Sequence, residues 1–125
     1  MALLFEELTE SIIGAAIDVH RHLGSGLLES TYRVCLAREL ELRGRSVQSE
    51  VLLPLEYKGK RFENAYRLDL WVEKTVVIEI KAVQTMIAVH EAQLLTYLRL
   101  TRSHVGLLMN FQQGALREGI RRFIL

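Results

Sequence analysis

Residues 68–80, LDLWVEKTVVIEI, constrain this chain more than any other segment. Apolar residues on either side of Glu73, Lys74 and Thr75 fall in short runs with the two-residue period of a strand. In an antiparallel pair, a slip of one residue turns every side chain to the opposite face, so hydrophobicity selects the register. Val72 opposite Val76 sets Leu70 against Ile78 and Leu68 against Ile80, gathering these aliphatic side chains on one face with Glu73, Lys74 and Thr75 as the loop. That loop has no glycine for the left-handed position such connections usually need. The opposite face then carries Asp69 directly across from Glu79, with Lys81 two residues further along.

This register, chosen without reference to charge, brings two carboxylates within roughly 5 Å between their Cβ atoms. Like charges so placed repel, and a divalent cation or a basic side chain is what relieves them. Carboxylate oxygens with one open side suit Mg²⁺ or Mn²⁺. A neighbouring lysine can orient or help deprotonate a metal-bound water, while the metal supplies Lewis acidity at a phosphoryl group. The arrangement therefore reads as a metal-dependent phosphodiester-cleaving site. The alternative is a solvated sheet face on which Lys81 simply neutralises Glu79 or Asp69.

The rest of the chain builds the frame. Leu4, Leu8, Ile12, Ala16, Val19 and Leu23 recur at helical spacing, with Gly24 as a C-terminal cap. After Gly-Ser-Gly, residues Leu28, Tyr32, Cys35, Leu36 and Leu40 repeat the pattern until Gly44 ends it. VQSEVLLPLEY and FENAYRLDLWV read as strands around a turn at Gly59. Pro54 inside the first of them demands an edge position or a bulge, because proline cannot donate to a ladder. Residues 89–101 place Leu94, Leu95 and Leu98 on one side of a helix, and HVGLLMNF is a short apolar strand. ALREGIRRFIL admits a helical turn and then a strand over its last four residues. The order implies an α/β (α+β) fold, a sheet covered by helices on both faces.

Composition narrows the function classes. With 125 residues, half of them hydrophobic, and no Pro/Gly/Ser-rich linker, one domain spanning 1–125 is expected. No apolar run approaches the roughly 18 to 20 residues of a membrane span, so no membrane association and a cytoplasmic location are expected. The lone Cys35 can form neither an internal disulfide nor a cysteine-based zinc site, and reads as a small core residue. Sixteen basic and fifteen acidic residues leave a net charge of +1, which by itself announces no nucleic-acid binder. His20 and His22 point about 200° apart on a helix and read as surface residues, not a zinc pair. No phosphate-cradling glycine loop or nucleophile elbow is present in the sequence. Arg117, Arg121 and Arg122 form a basic cluster that suits phosphate contact or ion pairing equally.

The stretch GLLESTY, with Gly26, Glu29 and Tyr32, resembles the signature of the GxxExxY proteins, and the likeness continues through LDLWVE, VVIEIKAV, HEAQLLTYL and VGLLMNF. That family is placed in the PD-(D/E)XK nuclease-like superfamily, so the resemblance implies a restriction-endonuclease-like αβββαβ core. It also implies that Asp69 and Glu79 hold a Mg²⁺ or Mn²⁺ ion with the Ile80 carbonyl, and that Lys81 positions the attacking water. By the same resemblance, Glu29 adds a metal-side carboxylate, and Gln93 and Tyr97 join from the following helix, where positions i and i+4 share a face. His90, three residues before Gln93, is a further candidate. Leu68 stands where the superfamily's name has a proline. Read as residues alone, Glu29 also fits as a helix-dipole partner, Tyr32 as a core aromatic, and Gln93 with Tyr97 as interior hydrogen-bonders.

The expectation is a nuclease that hydrolyses phosphodiester bonds, with nucleic acid, DNA foremost, as partner and room for a homodimer to grip a duplex. The rival is a catalytically silent module of the same fold for nucleic-acid binding or protein assembly. A weaker third is a metal-dependent hydrolase of nucleotides.

Overall fold

A computed structural model describes residues 5–125; Leu4, which opens the first apolar series, lies outside the described residues. Two helices come first, α1 (Glu6–Leu23) and α2 (Glu29–Leu42). Three strands follow, β1 (Val47–Tyr57), β2 (Lys60–Val72) and β3 (Val76–Lys81). Helix α3 (Ala88–Thr101) then crosses to β4 (Val105–Asn110), and a 3₁₀ turn (Leu116–Gly119) leads into β5 (Ile120–Ile124). The sheet order is β1-β2-β3-β4-β5, antiparallel throughout except for the parallel pair β3–β4. The tail thus resolves into a helical turn and a strand, as its residues anticipate.

The loop between α1 and α2 shows what the GLLESTY residues do locally. Gly26 adopts φ +96°, a left-handed value that side chains rarely tolerate. Tyr32 is fully buried, stacked on Phe111 with ring centroids 4.5 Å apart. Its hydroxyl donates to the Gly24 carbonyl at 2.5 Å and accepts from the Leu27 N–H at 3.2 Å, so one side chain closes the turn. Leu28, counted in the apolar series, is instead the exposed residue before α2.

Two apolar layers sandwich the sheet. On one side α1 and α2 supply Ile12, Ala16, Tyr32 and Leu36 against Leu70, Ile78, Ile80 and Leu107. On the other, α3 supplies Leu94, Tyr97 and Leu98 against Val77 and Leu108. The parallel pair is covered on both faces, which is why VVIEIK and VGLLMN read as near-continuous apolar runs. β1 is an edge strand, and its register shifts between Leu53 and Leu55, so Pro54 sits at a bulge on an edge. His20 is a correction: it is buried against Phe111 rather than on the surface.

The β2–β3 register matches the hydrophobic expectation for Val72 with Val76 and for Leu70 with Ile78. Without glycine, the connecting loop holds Glu73 and Lys74 at φ +53° and +49°. Leu68 departs from the expectation. It packs with Val77 and α3, while Leu70, only two residues on, packs with α1 and α2. Strict alternation breaks at the residue between them, Asp69, and Leu68 therefore does not face Ile80 across a ladder.

Gly106 sets how closely α3 approaches the sheet. A Cβ there would lie 2.9 Å from a Leu94 methyl, too close for contact. Gly106→Ala is expected to lower the unfolding free energy by about 1–3 kcal/mol in urea titrations through overpacking. Gly114→Ala, which meets open space, is expected to stay within about 1 kcal/mol of the parent.

Candidate active site

The break at Asp69 is where the site forms. Neither ladder pairs Asp69: its β1 neighbour would be Glu50, but the paired residues are Ser49 with Leu70 and Val51 with Leu68. Glu50 itself has φ +51°. On the other side, the β2–β3 pairs stop at Leu70 and Ile78. Side chains take over from there. The Asp69 N–H donates to Glu79 Oε1 at 2.9 Å, and the Ile80 N–H donates to Asp69 Oδ2 at 2.8 Å. Each carboxylate thus satisfies a backbone N–H of the opposite strand where the ladder has opened.

Lys81 lies on the same side of β3 as Glu79. Its Nζ is 4.0 Å from Glu79 Oε2 and donates to Gln93 Oε1 at 3.1 Å. Gln93 lies close enough to the Tyr97 phenol, one turn on, to temper its raised pKa, and Tyr97 meets Tyr66 edge-on at 6.1 Å. Glu29, at the start of α2, accepts from the Ala82 N–H at 3.0 Å. Its carboxylate therefore caps the end of β3 while adding negative charge near Asp69 and Glu79. His90 turns to its own helix end, where Nδ1 accepts from the Ile87 N–H at 3.2 Å.

Two residues escape the sequence reading. Arg33, one turn after Glu29, pairs with Glu50 and lowers the Asp69 pKa by its charge. Its spacing from Glu29 is the signal, since i and i+4 share a helix face. Asn110, fully buried at the end of β4, holds Val83 at both ends: its Oδ1 accepts from the Val83 N–H and its Nδ2 donates to the Val83 carbonyl. A polar residue closing an apolar strand was the clue.

Burial dominates the electrostatics. Glu79 is 3% exposed. Desolvation first, and the Asp69 charge second, push its pKa from an ordinary 4.5 up to about 8, against the Asp69 N–H and Lys81. Desolvation likewise raises Asp69, with the Ile80 N–H, Lys81 and Arg33 pulling it back. Tyr97 is pushed up to about 12 by burial and by both carboxylates. The half-buried Asp69 and the buried Glu79 set hard carboxylate oxygens side by side, with Lys81 as the nearest positive charge, a donor chemistry that suits a hard divalent cation. Among the described residues, no group of three or more His, Cys, Asp or Glu converges as a metal cage.

With this geometry in view, the comparisons decide the family. The model of the PD-(D/E)XK nuclease superfamily matches residues 6–123. This chain belongs to that superfamily. Its five-stranded mixed sheet flanked by helices is the restriction-endonuclease-like fold, and members of the superfamily generally use divalent metals. The crystal structure of SSO0001 is similar in fold, with a TM-score of 0.52 and 24% identity over 75% of this chain. The chain spans 47% of that protein, about half its length. No curated protein matches. No described helix is long and apolar enough to cross a membrane.

The raised Glu79 pKa has a stability consequence. The folded acid binds its proton more tightly than the unfolded one, so its contribution is complete below about 4.5 and is lost as pH rises through about 8. In chelator, the protein is expected to be less stable at pH 8 than at pH 5.5 by on the order of 1–3 kcal/mol from this group. Glu79→Gln, which keeps an oxygen for the Asp69 N–H, should flatten that difference in urea titrations at the two pH values; an unchanged slope would refute the assignment.

Proposed function

We propose that this chain is a metal-dependent nuclease of the GxxExxY branch of the superfamily, hydrolysing phosphodiester bonds in DNA. The observation that carries the reading is the Asp69–Glu79 pair, half-buried and buried respectively at an opened ladder, with Lys81 held beside it. The GLLESTY residues support the branch through the Tyr32 clamp and the Glu29 cap.

In this reading Asp69, Glu79 and the Ile80 carbonyl hold one Mg²⁺ or Mn²⁺ ion, with Glu29 supporting from the end of β3. The bound ion supplies Lewis acidity at the phosphoryl oxygen and lowers the pKa of water. Lys81 has three N–H donors. Glu79 and Gln93 draw the ammonium to one place, and a remaining donor is aimed at the attacking water or a phosphoryl oxygen. Gln93 fixes that lysine from α3, Tyr97 lies one turn on beside the carboxylates, and the aliphatic layers keep bulk water from them. Because no group of three or more His, Cys, Asp or Glu converges among the described residues, the site also fits a silent nucleic-acid-binding module, which would bind DNA and leave it uncut. A second copy gripping a duplex is compatible with either reading.

Purified protein incubated with labelled single-stranded, duplex and branched DNA and RNA, with Mg²⁺, Mn²⁺ or chelator, tests the proposal. Cleavage that requires metal and falls about a hundredfold or more in both Asp69→Ala and Lys81→Ala is the expected result. Binding without cleavage under every condition favours the silent module. A second measurement does not depend on turnover. Mn²⁺ is expected to raise the Tm of the parent through preferential binding to the folded state, and to leave Asp69→Asn unmoved.

A further inference from the structure

β1 and β2 continue together well beyond the rest of the sheet. β3 pairs with β2 only through Leu70, Trp71 and Val72, yet the β1–β2 ladder runs on to Tyr57 and Lys60. Because β2 and β3 are antiparallel, the extra length leaves the sheet at the end of β3 that carries Glu79 and Lys81. Asp69 marks the point of departure. The stretch from Asp69 back to Lys60, at about 3.3 Å per residue, reaches up to about 30 Å from the carboxylates.

Every residue from 55 to 65 is exposed, and none belongs to either apolar layer. The ribbon nonetheless carries Tyr57 at 60% and Phe62 at 43% exposure. Internal packing gives no reason for such rings there. The register opposes Leu55 to Phe62 and Tyr57 to Lys60, so the two rings share one face. Lys58 Nζ lies 5.3 Å from the Tyr57 ring centre and Lys60 Nζ 5.3 Å from that of Phe62. Between Tyr57 and Phe62 the tip has Lys58, Lys60 and Arg61 and no acid, although Arg61 Nε reaches Glu63 at 2.7 Å. Flat exposed rings interleaved with cations match an anionic polymer that offers flat faces of its own. Paired bases are already stacked on each other, so the match is to an unpaired strand.

We propose that the β1–β2 ribbon is a binding arm for unpaired nucleotides flanking the bond held at Asp69 and Glu79. Tyr57 and Phe62 stack on bases, while Lys58, Lys60 and Arg61 meet phosphates. The arm rests on the phosphodiesterase reading for the position of the strand, but its test reads binding alone, so a failure to cut leaves it decidable.

The protein in chelator is titrated, by fluorescence anisotropy, against a blunt duplex and the same duplex with a single-stranded overhang of about ten nucleotides. The parent should prefer the overhang. Tyr57→Leu and Phe62→Leu keep the face apolar but remove the rings, and each is expected to weaken overhang binding by about 5- to 100-fold while sparing the blunt duplex. Replacing Lys58, Lys60 and Arg61 by Gln should reduce the salt slope on the overhang by about 2. Lys74→Asn, at the far end of β2, should change neither. No overhang preference in the parent, or equal losses on both probes, overturns the proposal. So does a leucine variant that binds DNA as the parent does but sediments as a smaller species, which would make the ribbon a contact between copies.

Discussion

Much of this structure depends on one exchange: Asp69 and Glu79 each accept a backbone N–H from the strand that carries the other. A sheet that opens between neighbouring strands exposes donors that must find partners, and an unsatisfied buried N–H costs on the order of 1–3 kcal/mol. Here the two carboxylates supply the acceptors, so β2 can leave β3 after Leu70 without that penalty. Opening the strands, burying the acids and bringing Lys81 beside them are therefore one arrangement. The acids cannot be regarded as decoration on a finished sheet, since they complete its hydrogen bonding.

The surrounding elements supply charge and position in a graded way. The Arg33 and Arg67 guanidiniums both engage Glu50, whose left-handed backbone lies beside the unpaired Asp69. Arg33 thereby places positive charge near Asp69. Gln93 steers Lys81 from one helix, and Glu29 fastens Ala82 from another. Asn110 fixes the next residue, Val83, from the neighbouring strand. The end of β3 is thus held from α2, α3 and β4 at successive residues. Such support keeps the two acids at close quarters, where a looser chain would let them separate or admit water.

Much of this was legible in the sequence because hydrophobic burial sets it. Val72 with Val76 and Leu70 with Ile78 follow from alternation alone, and the edge bulge follows from the missing N–H of Pro54. The place where alternation fails was not legible. Leu68 and Leu70 are equally apolar, and what assigns them to different layers is a distortion involving Glu50 and Asp69, which no local periodicity encodes. The juxtaposition of Asp69 with Glu79 survives for a different reason from the one the register implied: each reaches the other's strand through a hydrogen bond instead of standing opposite it in a ladder. Arg33 was hidden because its partner, Glu50, comes from a strand whose local twist appears only in three dimensions. The burial of His20 is invisible to helical periodicity because the Phe111 ring that covers it comes from a distant part of the chain.

The crossover that makes β3 and β4 parallel also bears on the order in which the molecule assembles. The β2–β3 hairpin is local and needs only a short loop, whereas β3 meets β4 only after the intervening chain with α3 has been laid across the sheet. Contacts between distant residues form more slowly than local ones because the loop between them must first be closed. In the unfolded chain Glu79 is hydrated, with its ordinary value of 4.5, and burial in the folded protein pushes it up to about 8. Near neutral pH, completing the fold therefore draws protons from solution, and proton uptake becomes a kinetic marker of the moment at which the site closes.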